Sequence, residues 1–334
     1  MSTLKIAKHA EGLKLEYGYI RFGLDTGIPN ETTLLSHSHA DHLSGLGKEQ
    51  QIIATKGTVD TLVARGNRLR SRIEIIGVGQ SFVQLGVKVT ALNAGHVLGS
   101  SMFLLEFDDD LRVLYTGDFN AVDSLVHSAA KPVEADVLIT EATYGTPDWI
   151  FPRRRNIYDD VLSVAAESIS SGRIPVFQAY SLGKAQEAIC LLQGGGINVV
   201  SGNHQINAVS DVYNRHGMDL RHTSLNSDEV STLFKEGCAI VSSSPRHTLS
   251  NIKKQMGGSI AKEIEMRIVN YSLSGWTLGN QSGRGFPLSA HSDFPHLVEF
   301  AKAVNPRIVY CFTKNAGVLS EELNQKGLTS VPLE

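Results

Sequence analysis

Seven residues constrain this chain more than any others: Ser36-His37-Ser38-His39-Ala40-Asp41-His42. They follow the apolar step Thr33-Leu34-Leu35 and precede a short helix-like stretch. On an extended segment, side chains two apart point the same way, so His37 and His39 can grip one cation together. The chain then turns, and Asp41 and His42 project to a neighbouring point. Imidazole and carboxylate suit zinc and similar divalent ions. Four such ligands so close together can serve two adjacent cations, which points to a two-metal hydrolase. The bland alternative is a polar loop with chance histidines. The specific spacing, and the departure from an apolar strand end, weigh against it.

The bulk of the chain sets wide limits on what surrounds this cluster. At 334 residues it has room for one large domain or two of ordinary size. Its 42% hydrophobic and 19% charged residues are those of a globular protein. A formal net charge of -3 gives no basic field that advertises nucleic acid, although a local patch or a metal site can still bind phosphate. Cys190, Cys238 and Cys311 are odd in number, far apart and set in apolar runs, so a reduced, cytoplasmic setting without disulfides is expected. The first residues lack the apolar core of a signal peptide, and no stretch approaches the length of a membrane span.

Pattern divides the chain. Short strand-like runs dominate up to about residue 145: 13–17, 19–24, 52–55, 73–76, 87–91, 102–107, 112–115 and 137–140. Asp108-Asp109-Asp110 reads as a hairpin turn between two of them. From about 155 to 260, helical periodicity (157–170, 183–192, 204–216, 228–235) alternates with apolar runs (174–177, 197–200, 239–241). That rhythm predicts a small parallel α/β unit. The last stretch predicts strands over 266–273 and 307–312 and helices over 295–303 and 316–326, and is expected to return to the first layer.

One loop cannot complete a metal site, so further ligands are sought at strand ends. His96 lies just past the run 87–91, Asp118 just past 112–115, Asp25 at another strand end among glycines, and His291 within Ser289-Ala290-His291-Ser292-Asp293. Singly, each reads equally well as a capping or loop residue. Together they complete two coordination spheres.

At this point the sequence resembles a known family. Asp25, His37-x-His39-x-Asp41-His42, His96 and Asp118, in that order, resemble the metallo-β-lactamase superfamily of hydrolases. Thr140-Glu141-Ala142-Thr143-Tyr144-Gly145 and Ser289-Ala290-His291-Ser292-Asp293 resemble motifs A and B of its β-CASP nuclease branch. Pro175-Val176-Phe177 with Leu182-Gly183-Lys184-Ala185-Gln186-Glu187 is similar to that branch's insert domain. Ser274-Gly275-Trp276 and Gly285 to Ser289 are most similar to its short exonuclease-type members. The resemblance implies an α/β fold, an αββα sandwich formed by residues 1–150 and 265–334, with an inserted β-CASP α/β domain over 151–264. It implies two zinc ions per chain: His37, His39 and His96 on one, Asp41, His42 and His291 on the other, and Asp118 bridging. Asp25 and Glu141 would orient ligand imidazoles, and Asp41, His291 and Glu141 are the catalytic candidates. Such a pair of cations would lower the pKa of a shared water for in-line attack on phosphorus and stabilise the developing anionic oxygens. The chain departs from the branch at motif C, where Thr313 stands in place of a histidine, so the proton donor to the leaving group is open between His291 and a water.

The function this implies is a phosphodiesterase on single-stranded nucleic acid, RNA or DNA. The leading expectation is an RNA-processing exonuclease akin to the mRNA 3′-end processing factor. A DNA exonuclease of the ligase-associated type, a non-catalytic subunit of a processing complex and a small-molecule hydrolase are the alternatives. No membrane partner is expected, and a homodimer is allowed for. Candidate nucleic-acid contacts are Ser243, Ser244 and Arg246 after an apolar run, Lys184, and the run Arg153-Arg154-Arg155 beside Trp149. Each has an ordinary alternative as a helix cap or a solvated loop.

Overall fold

The computed structural model describes residues 3–47, 51–68, 71–279 and 284–333. The chain divides into two units. The first comprises residues up to Asp123, His127–Ile150 and those from Ala290 on; the second comprises Ser124–Val126 and Phe151–Ser289.

Two sheets stack in the first unit. One runs in the order Leu4–His9, Gly12–Tyr17, Ile20–Leu24, Thr32–Leu34, Gln51–Thr55, Arg72–Ile76. The other runs Ser330–Pro332, Ile308–Phe312, Val137–Glu141, Arg112–Tyr115, Ser101–Glu106, Val87–Asn93, Ser81–Gln84. Side-chain alternation explains how they pack. Phe103, Leu105, Val113, Tyr115, Val137 and Ile139 meet Leu13, Leu15, Phe22, Leu24, Leu34 and Ile53 between the sheets. Their neighbours Met102, Leu104, Leu114, Leu138 and Val309 face the other way, onto Leu297, Ala301, Leu319 and Leu323 of helices Phe294–Val304 and Ala316–Gln325. On the outer face of the first sheet, Ile52 and Ala54 pack with Leu62 of helix Lys56–Ala64. The layers are therefore helix, sheet, sheet, helix. Strands buried on both faces read as unbroken apolar runs, as Val137-Leu138-Ile139 does at the start of Val137–Glu141. Asp108 to Asp110 do form a hairpin turn, with the Phe107 amide donating to the Leu111 carbonyl.

The second unit is an all-parallel sheet in the order Thr223–Ser224, Val199–Ser201, Ala239–Ser242, Ile174–Gln178, Ile268–Leu273, Gly285–Phe286. Its end differs from the expected boundary after residue 264. Strand Ile268–Leu273 pairs in parallel with Ile174–Gln178, and Gly285–Phe286 pairs beyond it, so the unit extends to Ser289. Main-chain pairing outweighs the change in rhythm that suggested the earlier end. Helices Pro245–Met256 and Gly258–Arg267, not anticipated from periodicity, join the strands there. Among the described residues no helix is long and apolar enough to cross a membrane, and all three cysteines are free.

Candidate metal centre

The residues singled out as ligands come from four separate loops, with the orienting Glu141 on a strand end beside them. His37 and His39 follow strand Thr32–Leu34, and Asp41 and His42 lie in a single helical turn, Ala40–His42. His96 follows Val87–Asn93, Asp118 follows Arg112–Tyr115, and Glu141 ends Val137–Glu141. His291 precedes helix Phe294–Val304.

These groups meet at one carboxylate oxygen. Asp118 Oδ2 lies 3.3 Å from His42 Nε2, 3.6 Å from His37 Nε2, 3.8 Å from His96 Nε2 and 4.0 Å from His291 Nδ1. His39 Nδ1 is 3.0 Å from His37 Nε2 and 3.1 Å from His96 Nε2. Nitrogens around one tetrahedral zinc stand about 3.4 Å apart, given bonds of about 2.1 Å. The three imidazoles are therefore spaced much as ligands of one ion would be. Asp118 with His37, His39 and His96 forms one group able to hold a metal, and Asp118, Glu141 and His291 form another.

His96, His42 and His37 also have an outer partner on the nitrogen turned away from Asp118, which sets the tautomer. His96 Nδ1 donates to the Ala290 carbonyl at 2.8 Å. His42 Nδ1 donates to Asp25 Oδ2 at 2.7 Å. His37 Nδ1 is 2.9 Å from Ser36 Oγ, whose own proton goes to Asp25 Oδ2 at 2.5 Å, so the ring donates to the serine. In His291 the nitrogen that approaches Asp118, Nδ1, also lies 3.0 Å from both Glu141 oxygens.

Asp25 is thus an anchor for the ligand loop. Besides His42 and the Ser36 hydroxyl it accepts from the Ser36 amide at 2.6 Å and from the Tyr115 hydroxyl at 2.7 Å. Its backbone sits at φ 53°, a region that aspartate tolerates better than most residues. Glu141, fully buried, accepts from the Phe119 amide at 2.8 Å and from the Thr143 amide at 3.4 Å as well as from His291. Asp25 could also be grouped with His37 and His42 as a ligand. Its four hydrogen bonds make it the group that orients them.

Electrostatics fit the same picture. Burial, with the neighbouring imidazoles of His42 and His291 respectively, holds His37 and His96 well below the ordinary histidine range, so both rings are neutral and carry a lone pair. Burial alone would push His42 down and Asp118 up. Their mutual attraction reverses both, with Asp25 reinforcing His42 and His291 reinforcing Asp118. Burial and Asp25 push Tyr115 well above its usual range, which keeps it a donor. Two neutral imidazoles, His37 and His96, beside the ionised Asp118 fit a divalent cation.

One glycine makes the assembly possible. Gly117 has φ 53°, and a Cβ there would stand 2.6 Å from both Cβ and Oγ of Ser36. The loop bearing Asp118 therefore rests directly on the loop bearing His37.

Thr313, the residue at the motif C position, has φ 76°, a strained conformation for a β-branched side chain. Its hydroxyl accepts from the Ala142 amide at 3.0 Å, and Asn315 donates to the Thr143 carbonyl at 2.7 Å. Both grip the segment that carries Glu141. Sequence reasoning missed Ser36, Tyr115 and the Ala290 carbonyl, whose roles appear only once strands far apart in sequence are paired. Asp41 is exposed, with its carboxylate 3.8 Å from His42 Nε2.

The proposed nucleic-acid contacts fare differently. Lys184 is buried, its ammonium 4.6 Å from the centre of the Tyr180 ring, rather than at the surface. Ser243 and Ser244 are half-buried, Ser243 accepting from Asn203, and Arg246 is exposed. Arg154 turns inward onto Glu187, at 2.7 and 2.8 Å, and onto the Ser289 carbonyl, while Arg153 and Arg155 stay exposed.

Residues 24–174 match the family described as Beta-lactamase superfamily domain. Over 329 residues, 96% of this chain, the sequence is 27% identical to a probable DNA ligase of Opitutus terrae. It is 29% identical over 48% of its length to an RNase J-like protein of Methanocaldococcus jannaschii, and 37% identical over 42% to endoribonuclease YSH1 of Mycosarcoma maydis. The chain spans 30%, 43% and 16% of the length of these relatives, respectively. A protein of unknown function from Enterococcus faecalis V583 shares the fold, with a TM-score of 0.67, 12% identity and coverage of 100% of this chain and 98% of its own. The matched segment carries Asp25, the cluster from His37 to His42, His96, Asp118 and Glu141. Residues 24–174 thus resemble a β-lactamase superfamily domain, and the relatives of the chain include nucleases of that superfamily's β-CASP branch.

Proposed function

We propose that this chain is a two-zinc phosphodiesterase that shortens single-stranded nucleic acid from an end. The observation that carries this reading is the convergence of four imidazoles on Asp118 Oδ2, with outer partners that leave Nε2 of His37, His42 and His96 for a cation. His37, His39 and His96 would hold one ion, Asp41, His42 and His291 the other, and Asp118 both. Bound there, the cations would acidify a shared water and neutralise charge developing on the phosphate. The chain supplies the rest. Asp41, exposed at the rim, is the acceptor that orients the attacking water. Asp25 and Glu141 keep His42 and His291 turned inward. Thr313 cannot act as an imidazolium acid, and its hydroxyl is committed to the Ala142 amide. Proton delivery to the leaving oxygen therefore falls to His291 or to a water it positions.

RNA processing is the first reading for the substrate, in line with relatives named as an endoribonuclease and an RNase J-like protein. A specific observation supports DNA as the second: the similarity to the probable DNA ligase runs along 96% of the chain. Time courses on 5′- and 3′-labelled RNA and single-stranded DNA, with metal analysis of the same preparation, separate the two. His39→Ala is expected to lose both retained metal and hydrolysis. Full activity in that variant would overturn the reading.

A further inference from the structure

In an open parallel sheet, a crevice forms at the carboxyl ends of two adjacent strands when the loops leaving them turn to opposite faces. The second unit has such a point between Val199–Ser201 and its neighbour Thr223–Ser224. The connection leaving the first strand moves outward to the sheet edge, and the one leaving the second returns inward to Ala239–Ser242. Right-handed crossovers in opposite directions place their helices on opposite faces. The packing agrees. Val230 and Phe234 of helix Val230–Glu236 share a core with Val176, Val200 and Ile240, whereas Ile206, Val209 and Val212 of helix His204–Arg215 are buried outside it.

A cavity of about 640 Å³ opens at this same point. Other adjacent strand pairs of this sheet also send their connections in opposite directions; this is one with a cavity at it, and every residue around that cavity lies in the second unit. The volume is within the range of small-ligand sites, roughly 300–1,000 Å³. Five carboxamides line it: Asn203, Asn207, Asn226, Asn251 and Gln255. A carboxamide offers a donor and an acceptor side by side, the pairing that reads the edge of a nucleobase. Two of them are held on both sides: Asn203 accepts from the Ile206 amide at 3.0 Å and donates to Ser243, and Asn207 accepts from the Ser201 hydroxyl and donates to Ser224 Oγ at 2.9 Å, which leaves one amide hydrogen of each, with Asn226, Asn251 and Gln255, for a ligand. Asp228 on the wall can accept from ribose hydroxyls, and Lys254 brings one ammonium. Leu225 is the apolar side chain among the described lining residues, which disfavours a lipid or an aliphatic ligand.

We infer that this crevice is a binding site for a nucleoside monophosphate, with the base among the carboxamides and the phosphate on Lys254. It does not depend on the reading of the metal centre. The test is calorimetric titration of the full chain with the four nucleoside 5′-monophosphates, with adenosine and with inorganic phosphate. At least one monophosphate should bind saturably, and at least tenfold more tightly than adenosine or phosphate alone. Lys254→Glu and Asn251→Leu should each weaken it about tenfold or more with metal content unchanged. His39→Ala should leave it intact. Lys254 is exposed, so its substitution decides the matter even if Asn251→Leu does not fold. The inference is overturned if no monophosphate binds saturably, if binding persists undiminished in Lys254→Glu, or if it disappears in His39→Ala, which would move the ligand to the metal centre.

Discussion

Asp25 shows how much one carboxylate can hold. Through Ser36 it reaches His37, directly it holds His42, and Tyr115 completes its shell. Asp25→Ala should therefore weaken metal binding about 10- to 100-fold, as read by competition with a chromogenic chelator, while leaving every direct ligand in place. Thr313 makes a second case. Thr313→Val keeps the shape and the positive φ but leaves the Ala142 amide without its acceptor. A loss of about 1–3 kcal/mol in denaturant unfolding is expected. At this scale the sequence was most legible where a period of two put His37 and His39 on one side. Asp25 stood out as an acid at a strand end, but its orienting role, like that of Glu141, could be read only by resemblance, because nothing local distinguishes an orienting carboxylate from a capping one. Ser36, Tyr115 and the Ala290 carbonyl carry no local signal at all.

The elements were legible in proportion to how apolar their buried faces are. Strands Val87–Asn93, Arg112–Tyr115 and Val137–Glu141 lie within two residues of their expected bounds, since their inward positions are uniformly apolar. Helix Lys56–Ala64 was missed because it buries Gly57, Thr58 and Thr61 beside Leu62, so no apolar stripe marks it. Helix Pro245–Met256 is polar over most of its length, and strand Ser330–Pro332 is a three-residue edge. Helix Phe294–Val304, which follows His291, carries a testable detail. Asp293 caps it, accepting from the His296 amide, and also bonds the His296 ring. That bond raises the His296 pKa above its ordinary value despite partial burial, so the folded state favours the charged ring. The stability this adds is full below about pH 6.5, the unfolded value, and is lost as pH rises through the raised folded value. With the ring partly exposed, the contribution is expected to be a few tenths of a kcal/mol. Thermal melts of His296→Gln between pH 5.5 and 8.5 should show that component of the pH dependence removed.

Across the whole chain, the layered arrangement of the first unit followed from strand runs that are apolar on both faces. The end of the second unit was not legible. Parallel pairing of Ile268–Leu273 depends on a partner some ninety residues earlier, and no local pattern reports it. The described ligands of the metal centre all lie in the first unit, drawn from residues far apart in the sequence. An unfolded chain cannot gather them, so cation binding should stabilise the folded state by mass action. Exhaustive chelation is expected to lower the melting temperature by several degrees, and stoichiometric zinc should restore it, as followed by calorimetry.

The contact between Gly117 and Ser36 couples two parts of the site that are far apart in the sequence. Any side chain at position 117 would push against Ser36, and so disturb the loops bearing His37 and Asp118 in one movement. The spacing between the two loops is thus set by a position that carries no side-chain atoms at all, and the smallest possible enlargement there is felt on both sides of the cluster at once.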